Sequence, residues 1–209
     1  NIAALSAKLS AGGMKPMERK RPRRTRERIL ETALALFNSR GEPGVTTSAI
    51  ADEMNISPGN LYYHFNSKEK IVEALFAAFR ADIEATLAAP SQRAPHAEDV
   101  WLFLHLVFEA IWRYRFIYRD INDLLSRHRL LQSQFRLILA HKQRTAAQIL
   151  EGLRASGRAK LTRSDIAVLS ENMTLVASYW LSFEYAMHPR AELDGDALAR
   201  GAAHVISLA

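Results

Sequence analysis

The chain has 209 residues, 48% of them hydrophobic, which is enough to bury a core in one domain or in two small ones. It contains no cysteine, so disulfides, thiolate metal sites and cysteine nucleophiles are excluded. The formal net charge is +6, and residues 1–80 carry 13 Lys and Arg against 8 Asp and Glu, whereas the rest of the chain is nearly balanced.

The sequence also lacks the patterns of a membrane protein and of an enzyme. No apolar run reaches the ~20 residues that a spanning helix needs, and the N-terminal segment does not have the form of an export signal. The His and carboxylate residues form neither an HExxH helix nor a nucleophile elbow. We therefore expect a cytoplasmic protein with no membrane partner, no metal, no cofactor and no catalytic activity.

The first notable segment is basic. Eight Lys and Arg stand against two Glu between Met14 and Arg28. This concentration favours a polyanionic partner for the N-terminal region, and a solvated tail is the alternative interpretation.

Spacings of three and four between apolar residues recur along the whole chain, with no sustained alternation of period two. The pattern predicts an all-α fold. A first helix capped by Thr25 ends at Gly41, and a long fourth helix capped by Ser67 carries an apolar residue every four positions. Later helices are predicted near residues 97–113, 116–126, 129–155, 163–187 and 195–208, after a loop at 89–96.

Between these two helices the sequence predicts a pair of very short ones. Thr46 or Thr47 can cap the first, and Ser57 caps the second with Pro58 at its first helical position. Asn55 stands at the turn, since Asn tolerates the left-handed backbone conformation. Two short helices joined in this way form a unit whose second helix can lie in the DNA major groove, although an ordinary helical hairpin has a similar pattern.

The stretch TTSAIADEMNISPGNLYYHFNSKEKI, from Thr46 to Ile71, resembles the N-terminal DNA-binding domain of the TetR family of bacterial regulators without a gap. The likeness extends back through residues 29–41. One departure is Asn55, where the family usually has glycine, and this is a mild substitution. The resemblance divides the chain into a basic extension at 1–24, a helix-turn-helix domain at 25–70 and a larger effector-binding and dimerisation domain at 71–209.

The resemblance implies a homodimeric, ligand-responsive regulator, with repression as the favoured sense, that binds palindromic operator DNA. A small-molecule effector would bias the angle of the fourth helix. This change would move the two DNA-binding domains of the dimer out of register with half-sites about 34 Å apart. The alternative is a helical small-molecule binding protein without operator-specific DNA binding. Retained affinity for DNA at physiological salt separates the two.

Candidate DNA contacts follow from side-chain chemistry and from the positions that match the family. Asn60 can pair with adenine, and Tyr62 offers a ring to a thymine methyl group. Lys68, in the first turn of the fourth helix, can address a phosphate. For Tyr62 and Tyr63 the alternative is packing in the core. The predicted DNA-binding residues are Thr47, Ser48, Ser57, Pro58, Gly59, Asn60, Tyr62, Tyr63, His64 and Lys68.

Seven aromatic residues lie between Trp101 and Tyr118. The resemblance implies an effector pocket in this part of the chain, and such pockets are mostly apolar. A plain aromatic core is the alternative. His105, Glu109 and Arg113 share one helix face, for which a solvated Glu-to-Arg face is the favoured interpretation. The predicted effector-binding residues are Trp101, His105, Phe108, Trp112, Phe116, Tyr179 and Phe183.

The last two predicted helices each carry an apolar stripe. The resemblance favours a four-helix dimer interface built from both stripes, and burial in the chain's own core is the alternative. The stripes are Ile166, Leu169, Met173, Val176, Ala177 and Trp180 on one helix, and Leu198, Ala202, Val205 and Ile206 on the other.

Overall fold

The computed structural model describes residues 22–88, 97–189, 193 and 195–208. These residues form helices, with no strand among them, so the predicted all-α fold is confirmed. The helices are α1 (Pro22–Arg40), α2 (Thr47–Glu53), α3 (Pro58–His64), α4 (Lys68–Leu87), α5 (Ala97–Arg113), α6 (Arg115–Arg119), α7 (Ile121–Arg127), α8 (Arg129–Ala155), α9 (Arg163–Met187) and α10 (Gly195–Ile206).

Side-chain caps set the starts of the three helices that follow α1. Thr46, Ser57 and Ser67 each accept a hydrogen bond from the backbone N–H three residues further along the chain. Asn55 has a φ of +54° at the turn between α2 and α3. The predicted caps and the left-handed turn are confirmed, because these features depend on local chemistry alone.

Two predicted boundaries were wrong. α1 begins at Pro22, so Thr25 lies inside the helix and does not cap it; proline is well tolerated in a first helical turn. The helix predicted at 116–126 is two helices, since the chain turns at Asp120. Three successive residues of α6, 116–118, are buried. A single amphipathic helix cannot bury three successive side chains against one partner.

α1 packs on α4 and on α2, and α2 packs on α3. Ile29, Phe37, Ile50 and Leu61 have no exposed surface in this cluster. α4 then continues into the second layer, where it contacts α5 and α8. The predicted apolar row of α4 is buried along its whole length: Ile71, Leu75, Phe79, Ile83 and Leu87. α4 is therefore a rigid element common to both layers.

A second connection between the layers runs through α6. The Asn38 side chain of α1 donates to the backbone oxygen of Arg113 at 2.8 Å and accepts from the backbone N–H of Phe116 at 3.0 Å. The Phe37 and Phe116 rings lie with centroids 5.3 Å apart. α6 in turn contacts α9.

In the C-terminal layer α8 and α9 run against each other, and α10 packs on α5 and α9. The closest approach is at Gly201 of α10. A Cβ at this position would lie 2.6 Å from ring atoms of both Phe108 and Trp180. Within the described ranges, no helix has both the length and the apolar character required to cross a bilayer.

Candidate DNA-binding and effector-binding sites

The N-terminal edge of α3 faces solvent. Leu61 is fully buried and anchors the helix, whereas the residues 57–60 that open it are exposed. Gly59 has open space where a side chain would begin, with no atom within 4 Å of a built Cβ. Ser48, at the start of α2, is exposed as well. The two short helices thus present one continuous face of small residues, which can approach a DNA groove closely.

The aromatic residues of α3 extend this face. Tyr62 is 49% exposed and Tyr63 is 80% exposed, so neither ring packs in the core. The Tyr62 hydroxyl lies 3.2 Å from Thr47 Oγ1 and joins α3 to α2. The His64 ring is partly buried and meets the Tyr63 ring edge-on at 5.2 Å.

The structure gives the Lys68 ammonium a different role from the predicted phosphate contact. Lys68 Nζ donates to the backbone oxygens of Glu42 and Val45, each at 3.1 Å, and lies 2.9 Å from Glu42 Oε1. An ammonium has three donors, so all three are used within the protein. Lys68 fastens the α1–α2 loop to α4. Its partner is 26 residues away along the chain, and no local pattern could have identified it.

Glu42, Lys68 and Arg127 form a group that we call the Glu42 triad. The Glu42 side chain is 4% exposed, and its Oε2 accepts from Arg127 Nη2 of α7 at 2.6 Å. Burial alone raises the pKa of Glu42, but the hydrogen bonds and charges of Arg127 and Lys68 outweigh burial, so the pKa lies below its ordinary value. The triad connects the helix-turn-helix layer to the C-terminal layer with a fixed, paired charge.

The described part of the helix-turn-helix layer is almost neutral. Residues 22–80 contain eight Lys and Arg against seven Asp and Glu, whereas residues 1–21 contain five against one. The basic excess therefore resides mainly in the predicted extension, whose first 21 residues lie outside the described part.

A small apolar cavity lies among α4, α5, α8, α9 and α10. Its volume is about 30 Å³, room for roughly one water molecule, so a larger ligand requires the helices to move apart. The lining residues are Leu87, Val100, Phe103, Leu104, Val107, Lys142, Ala146, Ile149, Met173, Thr174, Ala177 and Val205.

The predicted effector-binding residues do not line this cavity. Trp101 and Phe183 are 55% and 53% exposed, and Phe108 and Phe116 are buried elsewhere in the core. Tyr179 is partly buried outside the cavity. The residues predicted on α5 are mostly large aromatic ones, whereas the helical phase turns residues 100, 103, 104 and 107 toward the cavity.

The remaining predicted residues of α5, His105 and Trp112, are partly buried, and Trp112 packs against the edge of the core. His105 stacks on Trp101 at 5.3 Å and lies 3.3 Å from Glu109, and the Arg115 guanidinium covers the Trp112 ring at 4.6 Å. The polar face of α5 is solvated, which agrees with the favoured interpretation, but Arg113 pairs with Asp82 of α4 at 3.1 Å rather than with Glu109.

Lys142 is the ionisable residue of the cavity wall, and it was not among the predicted effector-binding residues. It is 5% exposed, and its ammonium donates to Tyr118 Oη at 3.3 Å and to Ser178 Oγ at 3.1 Å. Burial lowers the pKa of Lys142 to about 7. A signal was available in the sequence, because Lys142 occupies the fourth place in the buried row of α8: Leu131, Phe135, Ile138, Lys142, Thr145 and Ile149.

The apolar stripes predicted to form the dimer interface mostly fill the chain's own core. The residues concerned are between 1% and 9% exposed: Ile166, Met173, Ala177, Leu198, Ala202 and Val205. A different row of α9 is exposed, consisting of Val168, Leu175, Phe183 and Met187, and Ile206 of α10 is 38% exposed. The predicted interface was placed on the wrong face of α9, because both faces of this helix carry apolar residues.

Sequence profiles of two known families cover most of the chain. Residues 29–75 match the profile described as bacterial regulatory proteins, tetR family, and residues 78–209 match the profile TetR, bacterial transcriptional repressor. The two matched segments meet within α4.

Individual relatives agree with these profiles. IcaR of Staphylococcus aureus, the negative transcriptional regulator of the biofilm operon icaADBC, is 42% identical over 48 residues, which is 23% of this chain and 26% of IcaR. The uncharacterized regulator TtgW of Pseudomonas putida is 35% identical over 60 residues, 29% of this chain and 45% of TtgW. The alignments span less than half the length of either curated relative.

A solved structure is similar along most of its length. A TetR-family transcriptional regulator from Marinobacter aquaeolei VT8 has 32% sequence identity and a TM-score of 0.78, with 88% of each chain covered. Because a family profile matches more than half of the sequence and this structure matches the fold, the chain belongs to the TetR family of bacterial transcriptional regulators.

Proposed function

We propose that the protein represses transcription as a homodimer that binds a palindromic operator and releases it when a small-molecule effector enters the C-terminal layer. The observation that carries this proposal is the exposed N-terminal edge of α3, which is held in place by a buried Leu61 and is open to solvent at Gly59. A surface of this shape fits the major groove, which is about 12 Å wide.

We assign separate roles to the residues of this face. Asn60 and Tyr62 read base edges, and Ser48 stands beside them at the start of α2. Thr47, Ser57, Pro58, Gly59, Tyr63 and His64 are assigned to groove-floor and phosphate contacts. The predicted extension at 1–24 supplies the basic charge that the described helix-turn-helix layer lacks.

The proposed dimer uses the exposed faces of α9 and α10. Val168, Leu175, Phe183 and Met187 form a row with spacings of seven, eight and four residues, which keeps them on one side of α9. An isologous contact between two such faces supplies the two-fold symmetry of a palindromic site. A monomer in sedimentation at micromolar concentration would contradict this part of the proposal.

Effector binding reaches the DNA-binding face through two connections. The cavity touches the end of α4 at Leu87, and α6 connects the C-terminal layer to α1 through Phe116 and Asn38. A ligand that widens the cavity shifts α4 and α6 and changes the separation of the two DNA-binding domains in the dimer.

Selection of bound duplexes from a random DNA pool, followed by titration of the enriched site, tests the proposal. Gly59→Ala is the sharpest variant. The methyl group meets no protein atom and α3 gains helix propensity, so the fold is kept, whereas operator affinity falls about tenfold because the methyl group enters the interface.

Asn60→Ala should change the preferred sequence, and Asn122→Ala, an exposed amide of α7, is the matched control that should change neither affinity nor preference. Failure to enrich any duplex at low salt would contradict operator binding and favour the small-molecule binding protein.

A further inference from the structure

The buried row of α8 contains one ionisable residue, Lys142. Its neighbours in the row are apolar or, in the case of Thr145, hydroxylic. Lysine is seldom fully buried without an anionic partner. The two groups that accept hydrogen bonds from its ammonium, Tyr118 and Ser178, are both neutral.

The fold treats its other buried charges differently. Buried Glu42 is paired with two cations, and buried Glu184 accepts from Arg200 Nη2 at 2.6 Å. Within the described residues, Lys142 makes no ion pair, and burial is the cause of its lowered pKa, with no charged neighbour contributing. The ammonium therefore has hydrogen bonds but no counter-charge.

Lys142 also lies in the wall of the apolar cavity. Apart from Thr174, the other lining residues are aliphatic or aromatic. A ligand that fills this space must be largely apolar, and the favourable polar feature for it to carry is a negative charge placed at the ammonium.

We propose that Lys142 binds the carboxylate of an apolar monocarboxylic acid, whose hydrocarbon part occupies the widened cavity. This inference rests on the proposed function, because it names the chemical class of the effector. The carboxylate supplies the negative charge that the ammonium lacks in the folded chain, and the apolar walls favour a ligand with a hydrocarbon chain.

The same contact gives the ligand a route to the DNA-binding face. Lys142 donates to Tyr118, which belongs to α6, and the backbone oxygen of Tyr118 accepts from Ser182 Oγ of α9 at 2.5 Å. α6 also carries Phe116, which touches α1. A carboxylate that draws the ammonium away from Tyr118 removes one of the bonds that hold α6 in position.

Decanoate, decanol and decylamine are probes of equal chain length that differ in head group. We expect the full chain to bind decanoate at least about tenfold more tightly than decanol, since a charge-assisted hydrogen bond is involved. Decylamine should bind most weakly of the three, because it places a cation beside the ammonium. Isothermal titration measures all three.

Lys142→Met keeps the length of the side chain and removes its charge. Decanoate should lose its advantage over decanol in this variant, while decanol binding stays within about twofold and shows that the cavity is intact. Arg144→Met, which removes an exposed cation of the same helix, should behave as the unchanged protein.

The pH dependence provides a second readout that a structural role would not produce. The polar groups that contact the Lys142 ammonium are Tyr118 from α6 and Ser178 from α9. Thr174 shares the cavity wall but donates to the backbone oxygen of Ser170, and the lining from α4, α5 and α10 is apolar. Decanoate binding should take up a proton and weaken by up to about tenfold per pH unit above pH 7, whereas decanol binding should not change.

Equal affinities for decanoate and decanol, binding of neither, or an unchanged decanoate preference in Lys142→Met would each overturn the assignment. Operator titrations with the same ligands separate this result from the proposed function. Decanoate preference that depends on Lys142 without any effect on DNA supports the carboxylate site and contradicts the regulator mechanism. Release of DNA by decanoate in Lys142→Met supports the regulator and overturns the site.

Discussion

The Glu42 triad and the Lys142 site each contain a buried ionisable side chain, but the partners of the two side chains differ. Glu42 has two cations within hydrogen-bonding distance, one on α4 and one on α7, and its geometry is fixed from both sides. Lys142 has two neutral oxygens and an apolar cavity. The paired charge of Glu42 connects the two layers. The unpaired charge of Lys142 destabilises the folded chain, and an anionic ligand would reduce this cost.

The largest expected effect concerns the pH dependence of folding. Lys142 has a pKa of about 7 in the folded chain and 10.5 when exposed, so the unfolded chain binds more protons between these values and stability rises with pH. The rise is up to about 1.4 kcal/mol per pH unit. It should end near pH 10, where unfolded Tyr118 ionises while burial keeps the folded pKa of Tyr118 higher.

Lys142→Met should remove this rise and stabilise the chain at pH 7 by about 1–2 kcal/mol, because an uncompensated buried charge is replaced by an apolar group of similar length. Urea unfolding at a series of pH values measures both quantities. Identical pH profiles for the variant and the unchanged protein would show that Lys142 is not an unpaired buried charge.

A substitution at Glu42 tests the paired side of the comparison. Glu42→Gln leaves Lys68 without its anion and Arg127 with Asp123 alone, and it should lower the free energy of unfolding by about 2–3 kcal/mol above pH 4.5. The deficit should shrink as the pH falls below 4.5, since the lowered pKa of Glu42 means that its contribution is lost there in the unchanged protein.

Glu53→Gln, at an exposed acid of α2, is the control for Glu42→Gln and should change stability by less than about 0.5 kcal/mol. Equal, small effects of the two substitutions in urea unfolding would mean that the triad does not fasten the layers.

The smallest effect is expected at the outer member of the triad. The Arg127 side chain is 41% exposed, so Arg127→Met should cost only about 1 kcal/mol. Arg136→Met, at an exposed arginine of α8, should be neutral. Thermal unfolding of the two variants measures the difference, and a loss as large as that of Glu42→Gln would show that Arg127 carries the whole connection.

Features that depend on a few consecutive residues could be predicted from the sequence. The caps at Ser57 and Ser67, the left-handed Asn55 and the pair of short helices all follow from local hydrogen bonding and backbone sterics. The spacings of three and four between apolar residues also predicted the helices at 129–155 and 163–187, whose bounds agree with α8 and α9.

Features that depend on which side of a helix meets which neighbour could not be predicted. α5 and α9 are apolar on more than one face, so composition does not determine which face lines the cavity, fills the core or remains exposed. The partners of Lys68 and Lys142 lie at least 23 residues away in sequence. Tertiary packing decides these contacts, and a single sequence does not encode them in a readable pattern.

The close approach at Gly201 restricts how α10 can respond to a ligand. Phe108 and Trp180 occupy the space of a side chain there, so sliding α10 along its axis would bring Leu198 or Val205, which share this face one turn away, toward the rings. Val205, one turn further on, belongs to the cavity wall, and Ile206 lies exposed next to it. Displacement of the wall must therefore tilt the whole helix about this pivot, and the tilt also moves the exposed side chain of Ile206.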